Sequence, residues 1–205
     1  MIRLDRVTVQ MHGRRIIDDV SATVPGGAVT VFTGANGAGK TTLIRAIAGL
    51  QRYSGSIRVY PRANDTARPP LYVCFDDAPV LRHVSGYNNI RMLLGRTLPA
   101  SEIRDCAPAI ADHRLLKLQA GRLSLGQRKR LHLVAALLSG AGCLILDEAL
   151  SGVDAPGARD VASALAAYAG SSTVLVTSHG NDPAVELATG ALHLADGTIT
   201  SGVLT

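Results

Sequence analysis

Aromatic residues and cysteines are scarce in this chain. It has no Trp among its 205 residues, and Phe, Trp and Tyr together make up 3%. Because many proteins that hold single-stranded nucleic acid stack its bases on aromatic side chains, we expect no partner of that kind. The cysteines, Cys74, Cys106 and Cys143, lie far apart and form no C-x-x-C pair. This spacing argues against a disulfide framework or a zinc site, and it favours a reducing compartment.

Long hydrophobic segments are also lacking. The longest apolar stretch, residues 133–146, is interrupted by Ser139, Gly140 and Gly142. It is also shorter than the roughly 20 residues that a helix needs to cross a bilayer. The first residues contain no apolar region of the kind found in secretory signal peptides. We therefore expect a soluble, cytoplasmic protein whose attachment to a membrane would need a partner.

The chain has enough apolar residues for one substantial core. Hydrophobic residues make up 47% of it and charged residues 18%, as is typical of a single globular domain. The formal net charge of +5 suits anionic ligands such as phosphates. Basic residues cluster at 128–130, Arg-Lys-Arg, and are otherwise spread along the chain. We interpret most of them as a solvated surface and expect no nucleic-acid partner.

A glycine-rich loop lies between a predicted strand at 29–33 and a predicted helix start at 43–48. Glycines let the backbone N–H groups of such a loop surround a phosphate, and the helix N-terminus adds the positive end of its dipole. Lys40 would neutralise the β- and γ-phosphates, and the Thr41 hydroxyl would bind Mg²⁺. The alternative is an ordinary turn, which the flanking strand and helix disfavour. The predicted phosphate-binding residues are Gly34, Ala35, Asn36, Gly37, Ala38, Gly39, Lys40, Thr41 and Thr42.

Two carboxylates follow another apolar run. Asp147 and Glu148 come directly after residues 143–146, which are predicted to form a buried strand. In P-loop enzymes the first such carboxylate helps to hold Mg²⁺, and a second one can act as general base on the attacking water. Alone, this pattern often marks only the end of a strand, but beside a glycine-rich phosphate loop it predicts a catalytic site. Upstream, Ser124 is a good N-cap for a predicted helix, and Gly126 permits close approach to an anion.

Strands and helices alternate along the second half of the chain. Helices are predicted over 125–138 and 158–169, strands over 143–146 and 173–177, and a hairpin with an Asp-Gly turn over 191–199. This alternation favours an α/β fold with a mostly parallel sheet. Earlier, residues 2–24 are predicted to be largely extended. The more polar, helical pattern from 84 to 122 indicates an inserted helical subdomain.

Together, these motifs make the chain resemble the ATP-binding cassette (ABC) ATPases, the nucleotide-binding subunits of ABC transporters. The glycine-rich loop is similar to their Walker A motif, and residues 144–148 are similar to Walker B with its catalytic Glu. Residues 123–127 resemble the LSGGQ signature and residues 151–154 the D-loop, while His179 is similar to the switch histidine. The motifs come in the family's order and extend over nearly the whole chain.

The resemblance implies a fold. It consists of a P-loop, RecA-like core with a mostly parallel sheet, an N-terminal antiparallel β subdomain and a small inserted α-helical subdomain. The whole chain, residues 1–205, would be a single ATP-binding domain. Its core would comprise residues 1–84 and 123–205, and its helical subdomain residues 85–122.

The resemblance also implies a mechanism. Two cassettes, either two copies of this chain or one copy and a homologue, would pair head to tail around two ATP–Mg²⁺. Glu148 would activate the attacking water, and His179 would steady the γ-phosphate. A separate membrane permease would couple this cycle to transport, with the cassette peripheral on the inner face of the cell membrane. Ser124 and Gly126 would act on the γ-phosphate held by the partner, and Gln127 of the signature and Asp154 of the D-loop would also belong to the nucleotide-binding residues.

Several positions depart from the family pattern, and three of them bear on the predicted function. Leu125 replaces the first Gly of the signature, as in forms resembling those of bacterial exporters, which favours export of a drug, peptide, heme or lipid. Asp76 stands at the position of the Q-loop glutamine and could still bind Mg²⁺. Met11 stands where an aromatic residue would stack on adenine, so we expect a weaker preference for ATP over GTP.

Two other functions remain as alternatives. A non-transport ABC ATPase could act on nucleic acid or ribosomes, but those proteins resemble paired cassettes or carry coiled coils or zinc modules, and this chain shows neither heptads nor metal-spaced cysteines. A regulatory module could hold ATP without turnover, but the complete catalytic set argues against it. The sequence leaves open which cargo is carried and whether the dimer is homomeric.

Overall fold

The computed structural model describes most of the chain. The described residues are 1–60, 71–76, 80–106, 110–148, 150, 155–178, 183–186 and 188–202. The predicted D-loop at 151–154, including Asp154, and the predicted switch residue His179 lie outside them. In chain order the elements are β1 (Ile2–Met11), β2 (Arg14–Val24), β3 (Ala28–Gly34), α1 (Lys40–Ile47), β4 (Ser54–Val59), β5 (Leu71–Cys74), α2 (Gly86–Leu94), α3 (Ala100–Cys106), α4 (His113–Lys117), a 3-10 turn (Ala120–Arg122), α5 (Leu125–Leu138), β6 (Cys143–Leu146), α6 (Ala155–Ala169), β7 (Thr173–Thr177), α7 (Pro183–Glu186), β8 (Gly190–Ala195) and β9 (Thr198–Gly202).

The first sheet is antiparallel and has the strand order β2-β1-β4. Alternate residues of β1, such as Ile2 and Leu4, are buried, while the residues between them are exposed, as a half-buried strand requires. His12 and Gly13 join β1 to β2 with φ angles of 51° and 77°. Such a two-residue turn matches the twist of the strands it connects. The implied N-terminal antiparallel β subdomain is thus confirmed.

The second sheet has the order β5-β6-β7-β3-β8-β9 and is parallel except for the final β8–β9 hairpin. Its central strands β6 and β7 are buried along their whole length, which explains their continuous apolar sequences. In a parallel sheet the carboxyl ends of neighbouring strands meet at one edge. The loops that follow β3, β6 and β7 are therefore brought together. The predicted mostly parallel sheet is confirmed.

Helices and the first sheet cover the two faces of the parallel sheet. On one face, Leu144 and Val176 belong to a core shared with α5 and α6. On the other, Ile145 and Leu175 pack with α1 and the antiparallel sheet. The alternation of side chains along a strand divides the apolar residues between these two cores. Within the described ranges, no helix has the length and apolar character needed to span a membrane.

Short helices occupy the stretch predicted as a helical subdomain. Ser85 caps α2 by accepting a hydrogen bond from Asn88 N, and Asn89 is buried while bonding to the backbone of the preceding loop. Gly86 lies so close to the Leu115 carbonyl of α4 that a Cβ atom there would overlap it. Close helix packing therefore depends on this glycine. The structure confirms helices here, while the division at residues 85 and 122 stays a prediction.

Candidate nucleotide-binding site

The glycine-rich loop connects the carboxyl end of β3 to the start of α1. Gly39 has a φ of 106°, and a Cβ atom on it would lie 2.9 Å from Ile16 Cγ2, so only glycine fits. Helix α1 starts at Lys40, three residues before the predicted start at Leu43, because Gly39 in its left-handed conformation begins the helix. No side chain caps this end, which leaves backbone N–H groups of the first turn to bind an anion.

Lys40 lies within the loop that was predicted to hold phosphate. Its Nζ donates to the carbonyl oxygens of Gly34 at 2.8 Å and Ala35 at 3.2 Å. The side chain is 5% exposed, so burial and these bonds hold its ammonium group at the loop. A positive charge fixed here can neutralise phosphate oxygens on the same loop, as the sequence predicts.

Asp147 connects three elements of the site. Thr41 Oγ1, on α1, donates to Asp147 Oδ2 at 2.8 Å, and Thr177 Oγ1, at the end of β7, donates to Asp147 Oδ1 at 3.1 Å. Burial raises the pKa of the Asp147 carboxyl, while the two hydroxyl hydrogen bonds lower it and so favour the charged form. The structure thus brings together two of the three predicted magnesium-binding residues, Thr41 and Asp147.

Glu148 follows with an uncommon backbone conformation, φ 52°. Its N–H donates to Thr177 Oγ1 at 2.7 Å, and its carbonyl oxygen accepts from Lys129 Nζ at 3.4 Å. Both sides of this residue's backbone are therefore held by neighbouring elements. Glu148 lines the same cavity as Lys40 and Thr41, where a carboxylate can act as general base.

That cavity has a volume of about 730 Å³ and lies between the glycine-rich loop and the β1–β2 hairpin. Met11, the predicted base-binding residue, lines it, and the Thr42 hydroxyl lies 4.0 Å from Met11 Sδ. His12 and Arg14 also line this cavity and were not predicted.

A second cavity, of about 1220 Å³, lies between α2, α3 and the end of α5. No predicted site residue lines this second cavity.

The chain belongs to the ABC transporter family. The family model matches residues 17–151, which include the Walker A, signature and Walker B motifs. With the geometry above, this confirms the resemblance found in the sequence.

Three curated relatives illustrate the range of names within this family. The zinc import ATP-binding protein ZnuC of Vibrio parahaemolyticus is 32% identical over 78% of this chain and 60% of its own length. The manganese transport system ATP-binding protein MntB of Bacillus subtilis is 34% identical over 87% of this chain and 76% of its own length. The cytochrome c biogenesis ATP-binding export protein CcmA of Gluconobacter oxydans is 30% identical over 87% and 81%. The chain therefore spans about 60% of the length of ZnuC, and the names leave the predicted exporter type unconfirmed.

A solved structure confirms the fold. A dimeric post-hydrolysis state of an ATP-binding cassette bound to ADP and Pi superposes with a TM-score of 0.83 at 19% identity. The match covers 100% of this chain and 99% of that one. The predicted ABC ATPase fold is therefore shown for the chain as a whole.

The signature of this ABC protein lies at the start of α5. Ser124 Oγ accepts from Gln127 N at 3.2 Å, and Ser124 N donates to Gln127 Oε1 at 2.9 Å, which together form a capping box. Ser124 is thus the helix N-cap, as predicted. Leu125 is 61% exposed, and none of the described residues that line the nucleotide cavity belongs to the signature. Ser124 is exposed as well, while Gly126 and Gln127 are partly buried.

Asp76 follows β5 and forms an ion pair with Lys129 of α5. Its negative charge also contributes to the raised pKa of the Asp147 carboxyl, so it belongs to the same electrostatic environment.

Sequence reasoning missed the roles of Lys129 and Thr177. Thr177 could have been predicted, because it ends a strand that lies beside β6 and so comes close to Asp147. Lys129 could not, because nothing in the basic run at 128–130 distinguishes a buried lysine from exposed ones.

Proposed function

We propose that this chain is the ATP-binding and ATP-hydrolysing subunit of an ABC transporter. The observation that carries the proposal is one cavity lined by Lys40, Thr41 and Glu148, with Asp147 hydrogen-bonded to Thr41 at its edge. These groups supply a phosphate-binding ammonium, a metal-binding pair and a general base. The structural neighbour is a post-hydrolysis state bound to ADP and Pi, and the relatives are named as ATP-binding proteins, which supports the same activity.

The residues present fit Mg²⁺. A threonine hydroxyl and an aspartate carboxylate meet at 2.8 Å, and oxygen ligands of this kind suit Mg²⁺, which takes one or two of them together with phosphate oxygens and water. Among the described residues, no three His, Cys, Asp or Glu side chains form a metal-binding group by themselves. We infer that Thr41 and Asp147 hold the ion. Asp76, the third predicted ligand, forms an ion pair with Lys129, and the Mg²⁺ dependence of an Asp76→Asn variant decides between the two roles. Bound Mg²⁺ would neutralise charge on the β- and γ-phosphates.

The chain's own residues then divide the work of hydrolysis. The loop at 34–42 holds the phosphates, and Met11 contacts the base without aromatic stacking, so selectivity for ATP over GTP is expected to be weak. Glu148 takes a proton from the attacking water. His179 steadies the γ-phosphate, and the partner's signature residues, together with its D-loop Asp154, close the site.

The assembly we propose is a head-to-tail pair of cassettes, two copies or one copy and a homologue, docked on a membrane permease. The exposure of Ser124 and Leu125 supports it, because this end of α5 can then face a nucleotide held by a second molecule. The cassette would be cytoplasmic and peripheral on the inner face of the membrane. We further propose that the transporter exports a drug, peptide, heme or lipid. CcmA, a relative named for export, is matched over a larger share of its length than ZnuC or MntB. Leu125 in the signature also fits an exporter-like form.

An ATPase assay of the full chain tests the activity. We expect Glu148→Gln to lower kcat about a hundredfold or more while nucleotide affinity stays near that of the wild type, because a general base contributes on the order of 10² to 10⁴. Glu102→Gln is the matched control, since Glu102 lies on the surface of α3. Equal rates for Glu148→Gln and the wild type would remove Glu148 from the mechanism.

Purification of the tagged chain from its native membrane in mild detergent tests the partner. We expect an integral membrane protein to accompany it and to change its ATPase rate. Salt-sensitive binding to RNA or DNA, with no membrane protein attached, would instead support the non-transport alternative.

A further inference from the structure

Lys129 is a buried lysine within the basic run of α5. Its side chain is 10% exposed, and its Nζ forms an ion pair with Asp76 Oδ1. Burying an ammonium group is costly unless a partner compensates for its lost hydration. Asp76 supplies that compensation and stays half exposed, at 49%, so its own hydration is largely kept. The pair therefore fixes where the lysine ammonium lies.

The same ammonium reaches the backbone of the Walker B motif. Lys129 Nζ donates to the Glu148 carbonyl oxygen at 3.4 Å, while Glu148 N–H donates to Thr177 Oγ1 at 2.7 Å. The residue between these two bonds has a φ of 52°, which a non-glycine residue adopts only with support from its surroundings. Lys129 and Thr177 together supply that support from opposite sides.

We propose that Asp76 and Lys129 form a brace that positions Glu148 for hydrolysis. Asp76 orients the lysine, and the lysine holds the Glu148 carbonyl, which sets the direction in which the Glu148 side chain leaves the backbone. Lys129 is thus a positioning residue, and so is Asp76, acting through it. This inference rests on the proposed ATPase function.

The brace also connects two motifs of one chain. Lys129 lies in the first turns of α5, the helix that Ser124 begins, so its contact ties the signature helix to the Walker B peptide. Asp76 stands at the predicted Q-loop position, and its ion pair with Lys129 links that position to α5. A movement of the signature helix would therefore reach the backbone of Glu148 directly.

A double-substitution cycle tests the brace in the full-length chain. The variants are Lys129→Met, Asp76→Asn, the double variant and Lys129→Arg, with Lys117→Met as the matched control because Lys117 is exposed on α4. The rate at saturating Mg-ATP, the affinity for a fluorescent ATP analogue and the Mg²⁺ concentration at half-maximal rate are measured for each. Thermal unfolding without nucleotide gives a second cycle that does not depend on hydrolysis.

We expect Lys129→Met and Asp76→Asn each to lower kcat about tenfold or more, since small displacements of reacting groups can cost up to ~10²-fold. Nucleotide affinity should change less than about threefold, Lys129→Arg should recover most of the rate, and the double variant should be no slower than either single one. In unfolding, the two substitutions should likewise be non-additive.

Three results would overturn the brace: wild-type turnover by Lys129→Met, losses that multiply in the double variant, or a raised Mg²⁺ requirement for Asp76→Asn alone. The last would make Asp76 a metal ligand instead. If the wild-type chain does not hydrolyse ATP, the proposed function is wrong. The thermal unfolding cycle then tests the Asp76–Lys129 pair by itself, and additive effects of the two substitutions on stability would show that the pair does not form.

Discussion

At the scale of single residues, one threonine orders the catalytic edge of the sheet. Thr177 is 1% exposed, and its hydroxyl donates to Asp147 while accepting from Glu148 N–H. A hydroxyl can do both at once, and valine, of almost the same shape, can do neither. Thr177 therefore sets the positions of both acidic residues.

We predict that Thr177→Val lowers both stability and turnover. The buried N–H of Glu148 loses its acceptor, which costs on the order of 1–3 kcal/mol, and kcat should fall about tenfold or more because Glu148 is no longer fixed. Chemical denaturation and steady-state ATPase assays measure the two effects. Thr173→Val, at the other end of the same buried strand, is the control for turnover. It loses the hydrogen bond from the Met1 ammonium but none to Asp147 or Glu148, so kcat should stay near that of the wild type.

The same substitution should change the pH dependence. The Thr177 hydrogen bond lowers the pKa of the Asp147 carboxyl, so its removal raises that pKa and reduces the ionised fraction at any given acidic pH. Because Mg²⁺ binding needs the carboxylate, the acidic limb of the rate profile should move to higher pH. An unchanged acidic limb would show that Asp147 does not control it.

At the scale of whole elements, buried strands were easier to predict than helix starts. β6, β7 and α5 have the predicted bounds, because β6 and β7 are apolar throughout and Ser124 gives α5 an evident N-cap. The start of α1 was wrong by three residues, since a left-handed glycine rather than a capping side chain begins it. The burial of Lys129 was not predicted, because the partner that permits it, Asp76, lies far away in sequence.

The packing of α2 against α4 gives a prediction at this scale. In Gly86→Ala the new Cβ would overlap the Leu115 carbonyl oxygen and lie 2.9 Å from Leu131 Cδ2. Alanine favours a helix over glycine by about 1 kcal/mol, but overpacking costs about 1–3 kcal/mol and forces the helices apart. We therefore expect a net loss of stability in urea denaturation.

Gly170→Ala is the control for this change. The nearest atom to a Cβ there is the Ala167 carbonyl oxygen at 3.5 Å, an ordinary contact. Its stability should stay within about 0.5 kcal/mol of the wild type, as for most surface substitutions. A Gly86→Ala protein as stable as this control would mean that α2 shifts without cost.

At the scale of the whole molecule, the two motifs that we propose to close on one nucleotide lie apart within a single chain. The phosphate loop lies in the cavity, whereas the signature begins α5 elsewhere on the surface. If two chains pair head to tail, each composite site takes Lys40 from one chain and Gly126 from the other. Both residues were predicted from sequence, but their separation within one chain depends on tertiary structure.

Mixed dimers test this arrangement. Lys40→Met removes the phosphate-binding charge, and Gly126→Asp places a carboxylate near the γ-phosphate while favouring the first turn of α5 through the helix dipole. Each variant alone should be inactive.

The two variants are then combined in one dimer, which is purified through two different tags. A dimer of one Lys40→Met chain and one Gly126→Asp chain keeps a single composite site with both residues intact. Its ATPase activity should therefore return in part. A dimer that joins a wild-type chain to a chain carrying both substitutions has no intact composite site and should stay inactive. If the second dimer is active and the first is not, each site is built within one chain, and the head-to-tail assembly is wrong.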